Sequence, residues 1–458
     1  MQDNAMSKGE RRIALVLAGV FSSRMLGLFM ILPVFTLYAQ ELKGYTLTLA
    51  GLAIGIYGLT QAMLQIPLGL LSDRIGRKPV ILAGLMVFAL GSVIAATSDG
   101  IWGVILGRAL QGAGAIASAV LALAADLTRD EHRMKVMALI GLSIGLSFGL
   151  GMVLGPLLHG LYGVPGIFWL TAGLAVAAGG LVKVAVPRPS SIRFHRDTEV
   201  EPTSLKKVLT DSQLLRVDAS IFLLHMMLMA NFVVVPRLLE QHFGLDGADH
   251  WRIYLPVLLG SMLAVLPFIF LAEKKRKVKQ VLVFAVGLML VVQVSLANGI
   301  DAMAGMVFVL WLFFVAFNLL ESSLPSLVAK LAPVTYKGTA MGAYTTAQFL
   351  GVFVGGAAGG WLADHYATAG VFWFNTGLAA IWLLLVITMR QPPYYSSQLL
   401  NVGRVDSGRA DTLARELSAM PGVIEAVIVA EEGVAYLRVD KHKLDEDALF
   451  AYSATARG

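Results

Sequence analysis

Long apolar runs separated by short polar turns fill the first 390 residues of the chain. The stretch from Leu47 to Ser72 contains no charged side chain, and four charged residues then follow between Asp73 and Lys78. A run of about 20 apolar residues is long enough to cross the hydrocarbon core of a bilayer as a helix. The pattern predicts twelve such helices, at residues 12–40, 46–72, 79–97, 101–128, 134–160, 165–186, 214–240, 250–272, 278–297, 303–331, 337–364 and 368–390.

The composition agrees with a membrane protein. Hydrophobic residues make up 57% of the chain and charged residues 14%, whereas about a quarter of the residues are charged in soluble domains. We therefore expect an all-α polytopic membrane protein with the lipid bilayer as a partner. The chain has no cysteine, which excludes disulfides, thiolate metal sites and cysteine nucleophiles.

The polarity pattern changes after residue 393. Residues 395–458 hold ten acidic and seven basic side chains, and their short runs alternate in the order β-α-β-β-α. This alternation predicts a small α+β ferredoxin-like domain, whose acidic surface we expect to dock on basic loops of the membrane part. The rhythm also resembles heavy-metal-associated domains, but the segment GRVDSGRADT (403–412) lacks their C-x-x-C loop, so no metal is expected.

Lysine and arginine are concentrated in alternate loops. The N-terminus, the loops after helices 2, 4, 6 and 8, and the end of helix 12 are basic, and the intervening loops are nearly bare. The positive-inside rule therefore places the basic loops and both termini in the cytoplasm. The basic run KKRKVK at 274–279 lies between two predicted spans, so it sets topology, and no nucleic acid is expected as a partner.

The first six and last six runs repeat each other. The segment 65–82 aligns with 265–282 at an offset that recurs along the chain. Two parallel six-helix halves are the layout of transporters that rock around a site at the bilayer midplane. The pattern thus predicts a first half, a linker, a second half and a tail, at residues 12–186, 187–213, 214–390 and 395–458.

The turn GLLSDRIGRK at 69–78 contains an acid that the topology does not explain. Asp73 ends a helix, where the helix dipole already presents partial negative charge, so it needs an external positive partner. Arg77 is one such partner, and the start of helix 11 at Lys337–Gly338 is another. Asp126 ends helix 4 and is a natural partner for Arg77. The cluster would act as a latch between the halves; the alternative is a solvated turn that only sets topology.

Three segments resemble signatures of the major facilitator superfamily, in its twelve-span drug/proton antiporter branch. GLLSDRIGRK resembles the signature between helices 2 and 3, LGRALQGAGAI (106–116) the second family signature, and GMVLGPLLHG (151–160) the fifth-helix signature of the proton-coupled antiporters. The third match is incomplete, because its closing glycine pair is reduced to Gly160. The matched positions are Gly69, Leu71, Asp73, Arg74, Gly76, Arg77 and Lys78, then Arg108, Gln111, Gly112 and Gly114, and then Gly151, Gly155 and Pro156.

The resemblance covers about residues 10–392 and implies a major facilitator fold that works by alternating access. It implies the latch role for Gly69, Asp73 and Arg77, and a part in proton coupling for Arg108. It also implies that the bend in the fifth helix seals the two halves. For the small residues of that helix, close packing alone is the alternative.

Ionisable side chains deep in predicted spans are costly and are therefore functional candidates. The candidates for proton coupling are Glu321, Arg108, Arg24 and His225. Glu321 in helix 10 is the best candidate proton carrier, because a carboxyl group in a low dielectric can change its protonation near neutral pH. Its alternative role is a structural partner for Arg24 or Arg108. His225 in helix 7 is either a proton relay or a hydrogen-bonding partner of a neighbouring group.

Polar and aromatic side chains in other spans are candidate lining for a substrate cavity. A mostly apolar wall with scattered polar groups suits a small amphiphilic substrate better than a sugar. The candidate lining residues are Gln61, Gln65, Gln111, Asn231, Asn318, Trp311, Phe314 and Gln348.

These patterns favour a proton-coupled antiporter in a bacterial inner membrane that exports a small amphiphilic or drug-like compound. Two alternatives stay open: a proton symporter or facilitator that imports a small metabolite, and a membrane sensor that signals through the tail. No phosphate loop, H-E-x-x-H or G-x-S-x-G motif is present, so we expect neither ATP nor another cofactor, and no enzyme activity.

Overall fold

The computed structural model describes residues 6–187, 200–333, 336–391, 395–403, 405–430, 433–440 and 443–454. These residues form a large helical bundle followed by a small three-stranded sheet. Most of the predicted linker, at residues 188–199, and the predicted boundary at residues 392–394 lie outside the described residues.

The first half of the bundle contains seven helices. The predicted span 12–40 is interrupted at residues 32–34, because Pro33 removes a backbone donor and its ring clashes with the preceding turn. The predicted span 101–128 is likewise divided at Gly114. The helices are α1 Lys8–Ile31, α2 Phe35–Tyr38, α3 Leu47–Ile75, α4 Arg77–Ala96, α5 Ile101–Ala113, α6 Ala117–Asp126 and α7 Asp130–Ala185.

The linker ends in a short helix, and the second half follows directly. Asp211 caps the first helix of this half by accepting bonds from Gln213 N and Leu214 N. The helices are α8 Pro202–Thr210, α9 Ser212–Gln241, α10 Trp251–Glu273, α11 Val278–Ala297, α12 Met303–Leu331 and α13 Lys337–Ile387.

Ten helical segments of the described chain are long and apolar enough to cross a membrane. Two of them, α7 and α13, have 56 and 51 residues, far more than the roughly 20 residues that one span needs. Each contains one residue with non-helical backbone angles, Gly163 in α7 and Ala367 in α13. Both are therefore pairs of spans joined at a sharp kink, which gives the twelve spans of the predicted fold.

The two halves meet closely where α3 runs antiparallel to the first limb of α13. A Cβ atom added at Gly51 would lie 2.7 Å from Gly360 Cα, and one added at Gly356 would lie 2.8 Å from Gly55 N. Glycines on both helices allow this approach. Nearby, Thr48 Oγ1 donates a 2.8 Å hydrogen bond to Asp364. We call this end of the bundle the Asp364 end and the opposite end the Asp73 end.

The tail folds as β-α-β-β-α, in the order that the sequence predicts. Its strands form an antiparallel sheet with the order β1-β3-β2, and α14 packs its apolar face against the sheet through Leu413 and Leu417. The elements are β1 Ser396–Asn401, α14 Ser407–Ser418, β2 Val423–Val429, β3 Val434–Val439 and α15 Glu446–Phe450.

Candidate functional site

Arg77 joins three helices at the Asp73 end of the first half. It forms an ion pair with Asp73 on α3, and its Nε lies 3.3 Å from Asp126 Oδ2 on α6. Its Nη1 also donates a 3.0 Å bond to Ser72 Oγ. The Arg77 residue is only 2% exposed, because Gly76, at φ 101°, turns the chain sharply between α3 and α4.

The other residues of this turn differ in their surroundings. Gly69 faces α6 so closely that an added Cβ would lie 3.0 Å from Ser118 Cβ. Lys78 Nζ donates to the carbonyl oxygens of Lys183 at 3.0 Å and Val186 at 2.6 Å, and so fastens the end of α7. Arg74 is exposed.

The last described stretch of the linker lies between this turn and the start of α13. Val200 lines a small cleft together with Gly69, Asp73 and Ser118. On its other side, a Cβ added at Gly342 would lie 2.6 Å from Val200 Cγ2. The linker side chain therefore occupies the space between the two halves.

Among the described residues, no hydrogen bond or ion pair joins the start of α13 to Asp73. Lys337 and Gly338 are buried there, and within the described residues the ion pair of Asp73 is with Arg77. Instead, Glu201 N donates a 2.9 Å bond to Thr339 Oγ1, so the linker backbone is held by α13.

Arg24 and Arg108 both lie next to Tyr57 inside the first half. Their guanidinium carbons are 5.6 Å and 5.1 Å from the centre of the Tyr57 ring, within the range of cation–π attraction. Arg24 donates to Gln61, and Arg108 Nη1 donates a 2.8 Å bond to Gln111. Neither arginine contacts Glu321, so the structure does not support the alternative of a Glu321–arginine pair.

A chain of side-chain hydrogen bonds leads from Arg24 to the second half. Gln61 accepts from Arg24 and donates to Gln65 Oε1 at 3.1 Å. Gln65 Nε2 donates in turn to Thr345 Oγ1 on α13 at 3.0 Å. Gln65 is thus the member of this chain that crosses between the halves.

Glu321 is the centre of a polar cluster in the second half. Gln348 Nε2 lies 3.4 Å from Glu321 Oε1 and 2.8 Å from His225 Nε2. His225 Nδ1 lies 3.2 Å from the Ile221 carbonyl oxygen, and this geometry fits an Nδ1–H donor that leaves Nε2 to accept from Gln348. His225 Nε2 is 3.8 Å from Glu321 Oε2. Helices α9, α12 and α13 each supply one member of this cluster.

The remaining candidate lining residues pack mainly within one half. Asn231 accepts from Asn375 Nδ2 at 2.9 Å, and Asn318 donates to Ser261 Oγ at 3.0 Å. A Cβ added at Gly260 would lie 3.1 Å from Trp311 Nε1. Phe314 is buried and its ring centre is 6.1 Å from that of Phe148 on α7, so it lies at the contact between the halves.

The glycines of the fifth-helix signature contact α1. A Cβ added at Gly151 would lie 3.1 Å from Met30 N, and one added at Gly155 would lie 3.1 Å from Pro33 Cγ. Pro156 follows inside α7. The two helices are therefore in close contact near the end of α1, next to Pro33.

Three polar residues near Glu321 and Gln65 were not predicted from the sequence. Asp218, Tyr344 and Thr345 all lie on α9 or α13. Asp218 precedes His225 by seven residues and therefore lies on the same helix face, a spacing that the sequence does contain. The hydroxyl residues give no such signal, because single tyrosines and threonines are common in membrane helices.

The comparisons with known proteins fit this architecture. Residues 17–356, and in a second overlapping match residues 219–424, fit the family model described as Major Facilitator Superfamily. The chain belongs to the major facilitator superfamily. It is therefore a multi-pass membrane transporter and not an enzyme.

The chain is similar in sequence to two named bacterial transport proteins and in fold to a solved transporter structure. The inner membrane transport protein YajR of Escherichia coli (strain K12) is 49% identical over 440 residues, which cover 96% of each chain. The multidrug resistance protein MdtH of Yersinia enterocolitica serotype O:8 is 26% identical over 79% of this chain and 90% of its own. The crystal structure of a bacterial homologue of the human lysosomal transporter Spinster, in an inward-facing and occupied conformation, has a TM-score of 0.68 at 10% identity and covers 84% of this chain and 97% of its own.

Proposed function

We propose that the chain is a proton-coupled antiporter of a bacterial inner membrane that exports a small amphiphilic or drug-like compound. The observation that carries this proposal is the Glu321 carboxyl, which is held by Gln348 and lies 3.8 Å from His225. The other acid that the sequence puts within a predicted span of this half, away from the last residue of that span, is Asp218 near the start of helix 7. The names of two relatives support the proposed membrane and the proposed class of substrate. YajR is an inner membrane transport protein, and MdtH is a multidrug resistance protein.

Alternating access requires that one end of the bundle closes while the other opens. The Asp364 end is closed by the glycine contacts of α3 with α13 and by the bond from Thr48 to Asp364. At the Asp73 end the linker residue Val200 lies between the halves. We therefore assign the Asp73 end to the cytoplasm, in agreement with its basic loops. We assign Asp73 to the latch that forms when this end closes, and the buried pair of Arg77 and Asp126 positions it.

Proton movement in proteoliposomes with an imposed pH gradient tests the proposal. Ethidium, tetraphenylphosphonium and a set of small metabolites would be added to vesicles that contain a pH-sensitive dye. We expect a lipophilic cation to dissipate the gradient with the wild type, and Glu321→Gln to reduce that rate by about 100-fold or more, as for the loss of a positioned proton-transfer group. Asp73→Asn should slow the exchange without abolishing it.

The exposed loop acid Asp301 provides the matched control, since Asp301→Asn removes an equal charge outside the cluster. If Glu321→Gln moves protons as fast as Asp301→Asn, Glu321 is not the carrier. If a metabolite enters with protons instead of leaving against them, the chain is a symporter.

The tail is proposed to dock on the membrane part and to support transport. Arg438 Nη2 donates a 2.9 Å bond to the Lys330 carbonyl oxygen, and Arg276 Nη2 is 3.6 Å from Asp440 Oδ1. Removal of residues 395–458 should then reduce the transport rate or the thermal stability of the bundle. An unchanged rate and an unchanged unfolding temperature would contradict this role.

A further inference from the structure

We propose that Asp218 is a second proton-carrying group, which exchanges its proton with Glu321 through Tyr344 and with water at the Asp73 end. This inference rests on the proposed function, because it supplies the proton path that Glu321 needs. It concerns a residue to which neither the sequence motifs nor the comparisons give a role.

Asp218 lies on the same helix face as His225. Seven residues separate them, which is almost two turns, or about 10 Å along the axis of α9. The neighbouring glycines of α13 fix the level of Asp218. Gly351 and Gly355 face Phe222 and Met226 at a constant offset, so that Asp218 lies level with the turn of α13 that carries Tyr344 and Gln348.

Three polar groups along this path lack hydrogen-bond partners within the described chain. The Tyr344 hydroxyl and Glu321 Oε2 are fully covered and make no hydrogen bond. Asp218 is only 8% exposed, and no hydrogen bond or ion pair joins it to another described residue. Buried polar groups are normally satisfied by protein or by ordered water. Water molecules between these groups would satisfy all three and would form a continuous path.

Tyr344 is the group that can connect the two acids. Its hydroxyl lies within electrostatic range of both Glu321 and Asp218. A phenol both donates and accepts hydrogen bonds, so it can receive the proton of the Glu321 carboxyl while its own proton passes to the Asp218 carboxylate. Glu321 is then ionised, Tyr344 is unchanged, and the Asp218 carboxyl gives its proton to water at the Asp73 end.

A purely structural role does not account for Asp218. An acid in the first turn of a helix is stabilised by the helix N-terminus, but this effect fades within that turn. Asp218 is six residues beyond Ser212, the first residue of α9. Asp211, which caps the helix, already fills the N-terminal role.

Infrared titration of the protein in lipid vesicles tests the inference with protons alone. The carbonyl stretch of a protonated carboxyl is followed as the pH is changed, in the wild type and in Asp218→Asn, Glu321→Gln and Tyr344→Phe. We expect Asp218→Asn and Glu321→Gln each to remove one pH-dependent band. The band that remains in Glu321→Gln should shift its midpoint by about one pH unit, because two coupled acids hinder each other's ionisation by about that amount or more.

Tyr344→Phe should keep both bands but slow the proton exchange between them after a pH jump by about 10-fold or more. The control Asp301→Asn should leave both bands and their midpoints unchanged. If Asp218→Asn removes no band, or if the Asp218 midpoint is the same with and without Glu321, the inference is wrong.

The experiment also separates this inference from the proposed function. A wild type that moves no compound against protons in proteoliposomes would overturn antiport, whereas the infrared bands report proton sharing directly. Conversely, normal antiport in Asp218→Asn would remove Asp218 from the proton path and leave the proposed function intact.

Discussion

Arg77 is a buried cation that is shared by two carboxylates. The Asp126 side chain is fully buried beside it, whereas the Asp73 side chain is 28% exposed. The two acids therefore differ in their exposure to solvent, although both contact the same guanidinium group. Asp126 completes the first half, and Asp73 is the acid that faces the cleft occupied by Val200.

Asp126→Asn should destabilise the protein more than Asp73→Asn. A hydrogen bond to a charged group contributes about 1.5–3 kcal/mol when it is buried, and water compensates for part of this loss at the more exposed acid. Thermal unfolding of the purified protein in detergent measures the difference, with Asp301→Asn as the control. Equal unfolding temperatures for the two variants would contradict the proposed division between a structural and a latch carboxylate.

Gly51→Ala should be strongly destabilising for the closed Asp364 end. The added methyl group would lie 2.7 Å from Gly360 Cα, and such overpacking costs about 1–3 kcal/mol. Gly149→Ala is the matched control, since its Cβ meets nothing within 4 Å and should stabilise the helix by about 0.5–1 kcal/mol. Unfolding temperatures that fall for Gly149→Ala and rise for Gly51→Ala would disprove the close contact.

At this scale the sequence predicted Asp73 and Asp126 as partners of Arg77, and it missed the meeting of Glu321 with His225 and Gln348. The contact of Arg77 with Asp73 follows from their spacing on one turn. The partners of Glu321 do not, because His225 and Gln348 come from other helices and their meeting depends on how α9 and α13 pack. Asp218 was missed although the sequence shows its spacing from His225. An acid near the predicted start of a helix is easily interpreted as an N-terminal cap.

The linker is an element that the structure places between the halves. Its residue Val200 lines the cleft beside Gly69 of α3, and Val200 Cγ2 lies close to Gly342 of α13. Any closure of the Asp73 end has to displace this side chain, so the linker and the latch compete for the same space.

Val200→Trp should therefore slow transport by holding the Asp73 end apart. Val200→Ala should leave the rate equal or raise it, because the smaller side chain is easier to displace. Rates of dye-coupled proton exchange in proteoliposomes provide the comparison. A tryptophan variant as fast as the alanine variant would mean that the linker leaves the cleft freely.

Apolar run length was enough to predict the twelve spans, and proline and glycine explain where the elements depart from that prediction. Pro33 divides the first predicted helix, and Gly114 divides the fourth. The kinks at Gly163 and Ala367 fall in the gaps that were predicted as loops, and each is made by one residue with non-helical backbone angles. A residue at positive φ other than glycine, such as Ala367, has no signature in the sequence.

For the whole molecule, transport requires the Asp364 end to open. The chain contains no cysteine, so two introduced cysteines can form a disulfide only with each other within one chain. In the double variant Thr48→Cys and Asp364→Cys, oxidation should cross-link the halves, because the native side chains are joined by a 2.8 Å hydrogen bond. Transport should stop on oxidation and return with a reductant. Each single variant is the control, and full transport by the cross-linked protein would contradict alternating access at this contact.

The hydrogen-bond chain from Arg24 to Thr345 has a consequence for what the molecule can carry. Each amide in it has its acceptor turned toward Arg24 and its donor turned toward α13. When α13 moves away, the Gln65 amide loses its acceptor and presents a free N–H, already polarised by a cation two links behind it. A cargo with a carbonyl, ether or ring nitrogen could take the place of Thr345 there. The cargo and Thr345 would then compete for the same donor, the Gln65 side-chain amide, so cargo binding would oppose the return of α13.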